Sequence, residues 1–239
     1  MVDAVPVRGG AMMLPGITVV TPTISPRTVM LKRARKSVLA STQYLRVNKR
    51  TNPATTVLHS IHFDHDHEGA ARTRQRALEA VRTQWVAFLD DDDEFLPQHL
   101  NALYYAAIDH EADYVWSRFV ITYPDGSELA GPAFLGQKAF APWNDDDPCQ
   151  TTITTLVRTE LAREAGGFAQ FDESDPAFPG SPMKLIDGHR RGEDHEFTVR
   201  CRRAGGQFHH HPEVTWRWHH HGVGAPGVPG NTSGMPDRW

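Results

Sequence analysis

The chain has 239 residues, 39% of them hydrophobic and 23% charged, which supports a buried core and excludes disorder throughout. Its 25 basic and 29 acidic residues give a formal charge of −4, which argues against a generally basic nucleic-acid binder. Two cysteines, Cys149 and Cys201, exclude a disulfide framework and zinc-finger spacing, and no apolar run approaches the roughly 20 residues that a membrane-spanning helix needs.

Residues 1–14 read as a flexible leader without the apolar run of a signal peptide, so the expected location is cytoplasmic. Ile17–Thr21 is β-branched and reads as a buried strand that stops at Pro22-Thr23. From Arg27 to about Ala40, Met30, Leu31, Ala34 and Val38 recur at helical spacing. A strand is expected near Thr56–Phe63, and Gly69 opens a helix carrying Ala70, Ala77, Leu78 and Val81. Trp85–Leu89 is a second apolar strand and runs directly into Asp90-Asp91-Asp92-Asp93-Glu94. Pro97 starts a helix with the stripe Leu100, Leu103, Tyr104, Ala107 and Ile108. Strands are expected at Tyr114–Thr122, Thr151–Val157 and Val214–His219, with a turn at Pro124-Asp125-Gly126. Glu160–Ala165 and Glu193–Ala204 read as helices, each closed by a pair of glycines. Residues 222–239 form a loop-like tail rich in Gly and Pro. Strands alternating with helices imply an α/β fold, with a mixed, mainly parallel sheet flanked by helices in a single domain.

Four segments carry chemistry. Consecutive aspartates after a buried strand repel one another, and a divalent cation with oxygen ligands, Mn²⁺ or Mg²⁺, offsets that repulsion. The same run also fits a solvated acidic loop before a helix. Glu193 and Asp194 open a helix, where acids complement the dipole or serve as a general base. Arg72, Arg74 and Arg76 follow Gly69 and face either phosphate or solvent. The 14 histidines include two triplets, His209–His211 and His219–His221. On a strand, His219 and His221 share one face and suit a metal, or simply end a polar strand, whereas His209–His211 suggests no role.

The order strand-Thr-Pro-Thr, Gly-x-x-x-x-Arg, strand-Asp-x-Asp-Asp, Gly-Gly-Phe, Gly-Glu-Asp and a His-rich end resembles the family-2 type of nucleotide-sugar glycosyltransferases with a GT-A fold. The resemblance covers about residues 16–221. It implies a domain over 15–221, with a nucleotide-sugar-binding half (15–123) and an acceptor-binding half (124–221). It also implies transfer of a sugar, UDP-linked for preference, to an acceptor hydroxyl with inversion. Thr21, Pro22 and Thr23 would line the nucleotide pocket, Asp64 would meet the nucleobase, and Arg74, Asp90 and Asp91 would complete the donor site. Asp90 and Asp92, with His219 and His221, would hold Mn²⁺ or Mg²⁺. Asp194 would be the base, with Glu193 beside it, and Trp143, Gly167 and Phe168 would face the acceptor. That acceptor is open among carbohydrate, protein, lipid head group and modified nucleic-acid base. Departures are His62-Phe63-Asp64-His65-Asp66 in place of the family's acidic Asp-Asp-Gly-Ser segment, and Gln75 in place of Asn. The competing readings are a nucleotidyltransferase, disfavoured because no glycine-rich phosphate loop with a lysine lies near the first strand, and a non-catalytic metal- or nucleotide-binding protein.

Overall fold

A computed structural model describes residues 13–48, 55–130, 153–168 and 193–221. Strand β1 (Leu14–Thr23) is followed by a 3₁₀ turn (Ser25–Arg27) and helix α1 (Thr28–Val47). Next come β2 (Thr56–Phe63), α2 (Ala70–Ala80), β3 (Thr83–Phe88), β4 (Glu94–Phe95) and α3 (His99–Asp109). The remaining elements are β5 (Tyr114–Thr122), β6 (Glu128–Ala130), β7 (Thr155–Arg158), α4 (Thr159–Glu164), α5 (Glu193–Arg203) and β8 (Phe208–His219). Among the described residues the strands form one sheet in the order β2-β1-β3-β7-β5-β8-β4, with β6 added to β5.

The long ladders β1–β2, β1–β3 and β5–β8 are parallel, and the short ones are antiparallel. The expected mixed, mainly parallel sheet is therefore present. β7 lies between β3 and β5, so residues on both sides of position 124 contribute to the same sheet.

β3 shows why the sheet is covered on both faces. Trp85, Ala87 and Leu89 point into one apolar cluster with α1 and α3, while Val86 and Phe88 point into another with α2, α4 and Phe197 of α5. A strand buried on both sides reads as a continuous apolar run, as it does here. The charged loop after β3 is thus anchored to the most deeply buried strand of the fold.

Boundaries differ from the sequence expectation at several elements: β1 starts at Leu14 rather than Ile17, and β7 starts at Thr155 rather than Thr151. α1 continues to Val47 because Ser41, Thr42 and Leu45 are also buried. β4, only two residues long, forms because Glu94 and Phe95 pair with Arg217 and Trp216. β8 begins at Phe208 rather than Val214 and passes through Pro212 at a register shift between its partners Ser117 and Arg118. His209–His211 therefore lie inside the strand that ends at His219. Trp143, most of the 1–14 leader and the 222–239 tail lie outside the described residues.

Candidate active site

The site forms where β3 ends. The Leu89 amide donates to Val20 O at 3.0 Å, and Asp93 N closes a turn onto Asp90 O at 3.2 Å. This turn points several carboxylates the same way. One carboxylate oxygen from each of Asp90, Asp92 and Asp93 lies within 4.8 Å of the other two. Asp93 joins the two expected aspartates, a residue the sequence reading left unassigned because alternation along a strand does not extend into a turn.

The surroundings offset this charge. Asp91 is fully buried and accepts hydrogen bonds from Thr23 Oγ1 at 2.6 Å and from Arg27 Nη1 at 2.9 Å, the same Arg27 nitrogen lying 3.3 Å from Asp92 Oδ2. Burial, reinforced by the Asp92 charge, pushes the Asp91 carboxyl up to about 6, against the opposing effect of Thr23 and Arg27. Arg33 Nη2 donates to Asp92 O at 2.6 Å. Arg27 and Arg33, neither expected at the site, thus tie α1 to the acidic loop. Asp91, expected to bind the donor, is engaged in that anchoring.

Arg74 is the central link. It projects from α2, is wholly buried, and donates from Nη2 to Asp90 Oδ1 at 2.5 Å and from Nη1 to Glu193 Oε1. Burial by itself would lower its pKa, but Asp90 and Glu193 outweigh burial and raise it. The guanidinium therefore spans from the acidic loop to the first residue of α5, next to Asp194. Acids in the first turn of α5 and Arg200, Arg202 and Arg203 in its last turn match the helix dipole.

β4–β8 pairing brings the second histidine triplet to the loop. His219 N donates to Asp93 Oδ1 at 3.1 Å, and its ring Nε2 lies 2.6 Å from Glu94 Oε2. This hydrogen bond is the largest influence lowering the Glu94 pKa. His221 Nε2 lies 3.2 Å from Asp92 Oδ2. The expected ligand set of Asp90, Asp92, His219 and His221 is accordingly rearranged: three aspartates gather, His221 touches one of them, and the His219 ring is held by Glu94. A cavity of about 270 Å³ opens beside them, between Arg33, the Thr122–Pro124 turn and His219–His221.

The other expected residues are distributed around this centre. Thr21, Pro22 and Thr23 are buried at the end of β1, with Thr21 Oγ1 2.9 Å from His59 Nε2. Asp64 is buried, and its two carboxylate oxygens accept the amides of Glu68 and Gly69, so it shapes the entry to α2. Gly167 adopts φ +60°, and its carbonyl accepts Arg200 Nη2 at 2.6 Å. Phe168, expected to face the acceptor, is instead a core residue, 1% exposed and packed on Phe88 and Phe197. An apolar ring covered on both faces has no surface left for a substrate, so its link to the site runs through the backbone it anchors.

Three carboxylates with hard oxygen donors suit Mn²⁺ or Mg²⁺ better than a softer metal. Residues 53–165 match the family model described as glycosyl transferase family 2. The chain shares the GT-A fold and, over 53–165, resembles glycosyl transferase family 2. No curated protein matches it in sequence. Among solved structures, TarS 1-349 from S. aureus is 15% identical at a TM-score of 0.56, covering 85% of this chain and 60% of that one. The complex of TarS 1-349 with UDP-GlcNAc gives 14% identity and a TM-score of 0.57, covering 85% of this chain and 58% of that one. The complex with UDP gives 14% and 0.56, with 85% and 60% covered. The chain thus spans about three fifths of the TarS 1-349 length, and the likeness at this identity is one of fold.

Proposed function

We propose that this chain transfers a sugar from a nucleoside diphosphate sugar, with UDP as the nucleotide, to an acceptor hydroxyl with inversion at the anomeric carbon. The observation that carries this reading is the Asp90–Asp92–Asp93 cluster joined through buried Arg74 to the start of α5, where Asp194 stands. The family match over 53–165 and the UDP-GlcNAc and UDP complexes of the structurally similar TarS support it.

In this reading Thr21, Pro22 and Thr23 border the nucleotide, and Asp64, its carboxylate held by the Glu68 and Gly69 amides, acts on the base side by shaping that loop. Asp90, Asp92 and Asp93 would hold Mn²⁺ or Mg²⁺, which supplies positive charge for the diphosphate leaving group. His221 orients Asp92. Asp194 accepts the acceptor hydroxyl proton as the acceptor oxygen bonds to the anomeric carbon and the bond from that carbon to the diphosphate breaks. Glu193, fixed by Arg74, holds the adjoining backbone so that Asp194 is presented to the acceptor.

The test is product analysis across a panel of sugar nucleotides with Mn²⁺ or Mg²⁺. Release of nucleoside diphosphate is expected, whereas pyrophosphate would assign the site to nucleotidyl transfer instead. Asp194→Asn is expected to lower turnover by about 10²–10⁴-fold with donor affinity retained. An equal loss of donor binding would count against Asp194 as the base.

A further inference from the structure

The outward face of α1 is basic and studded with aliphatic side chains. The helix carries Lys32, Arg33, Arg35, Lys36 and Arg46 and no acid, in a chain whose acids outnumber its bases. At about 100° per residue, Val29, Lys32, Arg35, Lys36, Leu39, Gln43, Arg46 and Val47 fall within an arc of roughly 120°. Every one of these residues is exposed. Val29 is 82% exposed, Leu39 57% and Val47 78%. Among the described residues, Lys32, Arg35, Lys36 and Arg46 have no acidic partner. The opposite face buries Leu31, Ala34, Val38 and Leu45, and Arg33 turns inward to the acidic loop.

An ordinary solvated helix face mixes both charge signs, with acids placed to pair with the bases. This strip has a single sign along a helix of about 30 Å, with aliphatic side chains between the charges. Cations attract an anionic surface, and branched aliphatics gain by entering the head-group boundary. Nucleic acid would satisfy the cations but leave Val29, Leu39 and Val47 in water, and the strip offers no aromatic ring for base stacking.

We propose that this face of α1 docks the chain onto an anionic lipid surface. The helix is continuous with the 3₁₀ turn whose Arg27 holds Asp91, so docking keeps the acidic loop within one helix length of the membrane. The docking requires neither donor nor acceptor, so it stands or falls apart from sugar transfer.

The test is co-sedimentation of the full chain with vesicles of phosphatidylcholine alone and of phosphatidylcholine mixed with phosphatidylglycerol. Binding is expected only to the anionic vesicles and is expected to fade as salt rises. Neutralising Lys32, Arg35, Lys36 and Arg46 to Gln should weaken it about fivefold per cation removed. Leu39→Ser and Val47→Ser should weaken it further without altering vesicle-free urea unfolding by more than a surface substitution does. No binding at low salt, or binding unchanged in the four-cation variant, would overturn the proposal. Capture of a double-stranded oligonucleotide with anionic vesicles ignored would overturn it in favour of a nucleic-acid face.

Discussion

Arg74 sits between two carboxylates with its guanidinium withdrawn from water. Removing one partner of such a buried pair leaves the other charged and unpaired, at a cost of about 3–5 kcal/mol. Arg74→Met is therefore expected to lower unfolding free energy by about that amount in urea titration. Arg74→Lys keeps the charge but not the two-pronged geometry, and should fall between the two. If Arg74→Met were as stable as the parent, the bridge between Asp90 and Glu193 would not be holding the site. His99 offers a second residue-scale prediction. It is wholly buried, stacks on Phe95 and shares a hydrogen bond with Thr215 Oγ1. Burial brings its pKa down from 6.5 to about 3. Above the unfolded value both states are neutral there, and nothing is lost. As pH falls from 6.5 towards 3 only the unfolded chain takes the proton, so stability falls by up to about 1.4 kcal/mol per pH unit from this group. Unfolding free energies measured across that window should decline less steeply in His99→Gln than in the parent.

At the scale of elements, the site depends on how helices grip the loops that follow strands. α2 holds the turn after α4 through Gln75 Oε1, which accepts the Phe168 amide at 2.8 Å. A Cβ on Gly167 would lie 2.2 Å from that oxygen, and the φ of +60° is a conformation L side chains resist. Gly167→Ala is expected to destabilise by about 1–2 kcal/mol from the backbone alone. Displacement of Gln75 adds the loss of its hydrogen bond. Adding Gln75→Ala should remove the closest clash and leave the backbone penalty with a 3.1 Å approach to Leu78 Cδ2, so the two changes should be non-additive in a double-mutant cycle. Additive costs would show that the close approach has no energetic weight. The same logic explains β4: two residues suffice because their pairing with β8 is reinforced by His219 on Glu94 and on Asp93.

For the whole molecule, the cluster of aspartates predicts stabilisation by ligands. A ligand that binds only the folded state adds about 2.7 kcal/mol at a hundred times its dissociation constant. Mn²⁺ with UDP is expected to raise the thermal midpoint more than either alone in a scan of the full chain. Asp92→Asn and Asp93→Asn should each reduce the Mn²⁺-dependent part. An undiminished shift in Asp93→Asn would remove that residue from the ligand set. Among the described residues no helix is long and apolar enough to cross a membrane.

Local sequence determined much of this protein. Apolar periodicity identified the strands and helices, and the placement of four aspartates after Trp85–Leu89 located the site, because burial and charge density are properties of neighbouring residues. The tertiary structure decided which carboxylates point together, since a turn has no side-chain period to read. Arg74 illustrates the limit: its partner Glu193 lies 119 residues away, and only the tertiary fold joins them. Phe168 was legible as part of a glycine-aromatic turn, but its orientation depends on Phe88 and Phe197 closing over it. The two halves of β8 were joined only by their shared ladder with β5, because proline breaks the local strand signal while a parallel neighbour supplies the pairing across it.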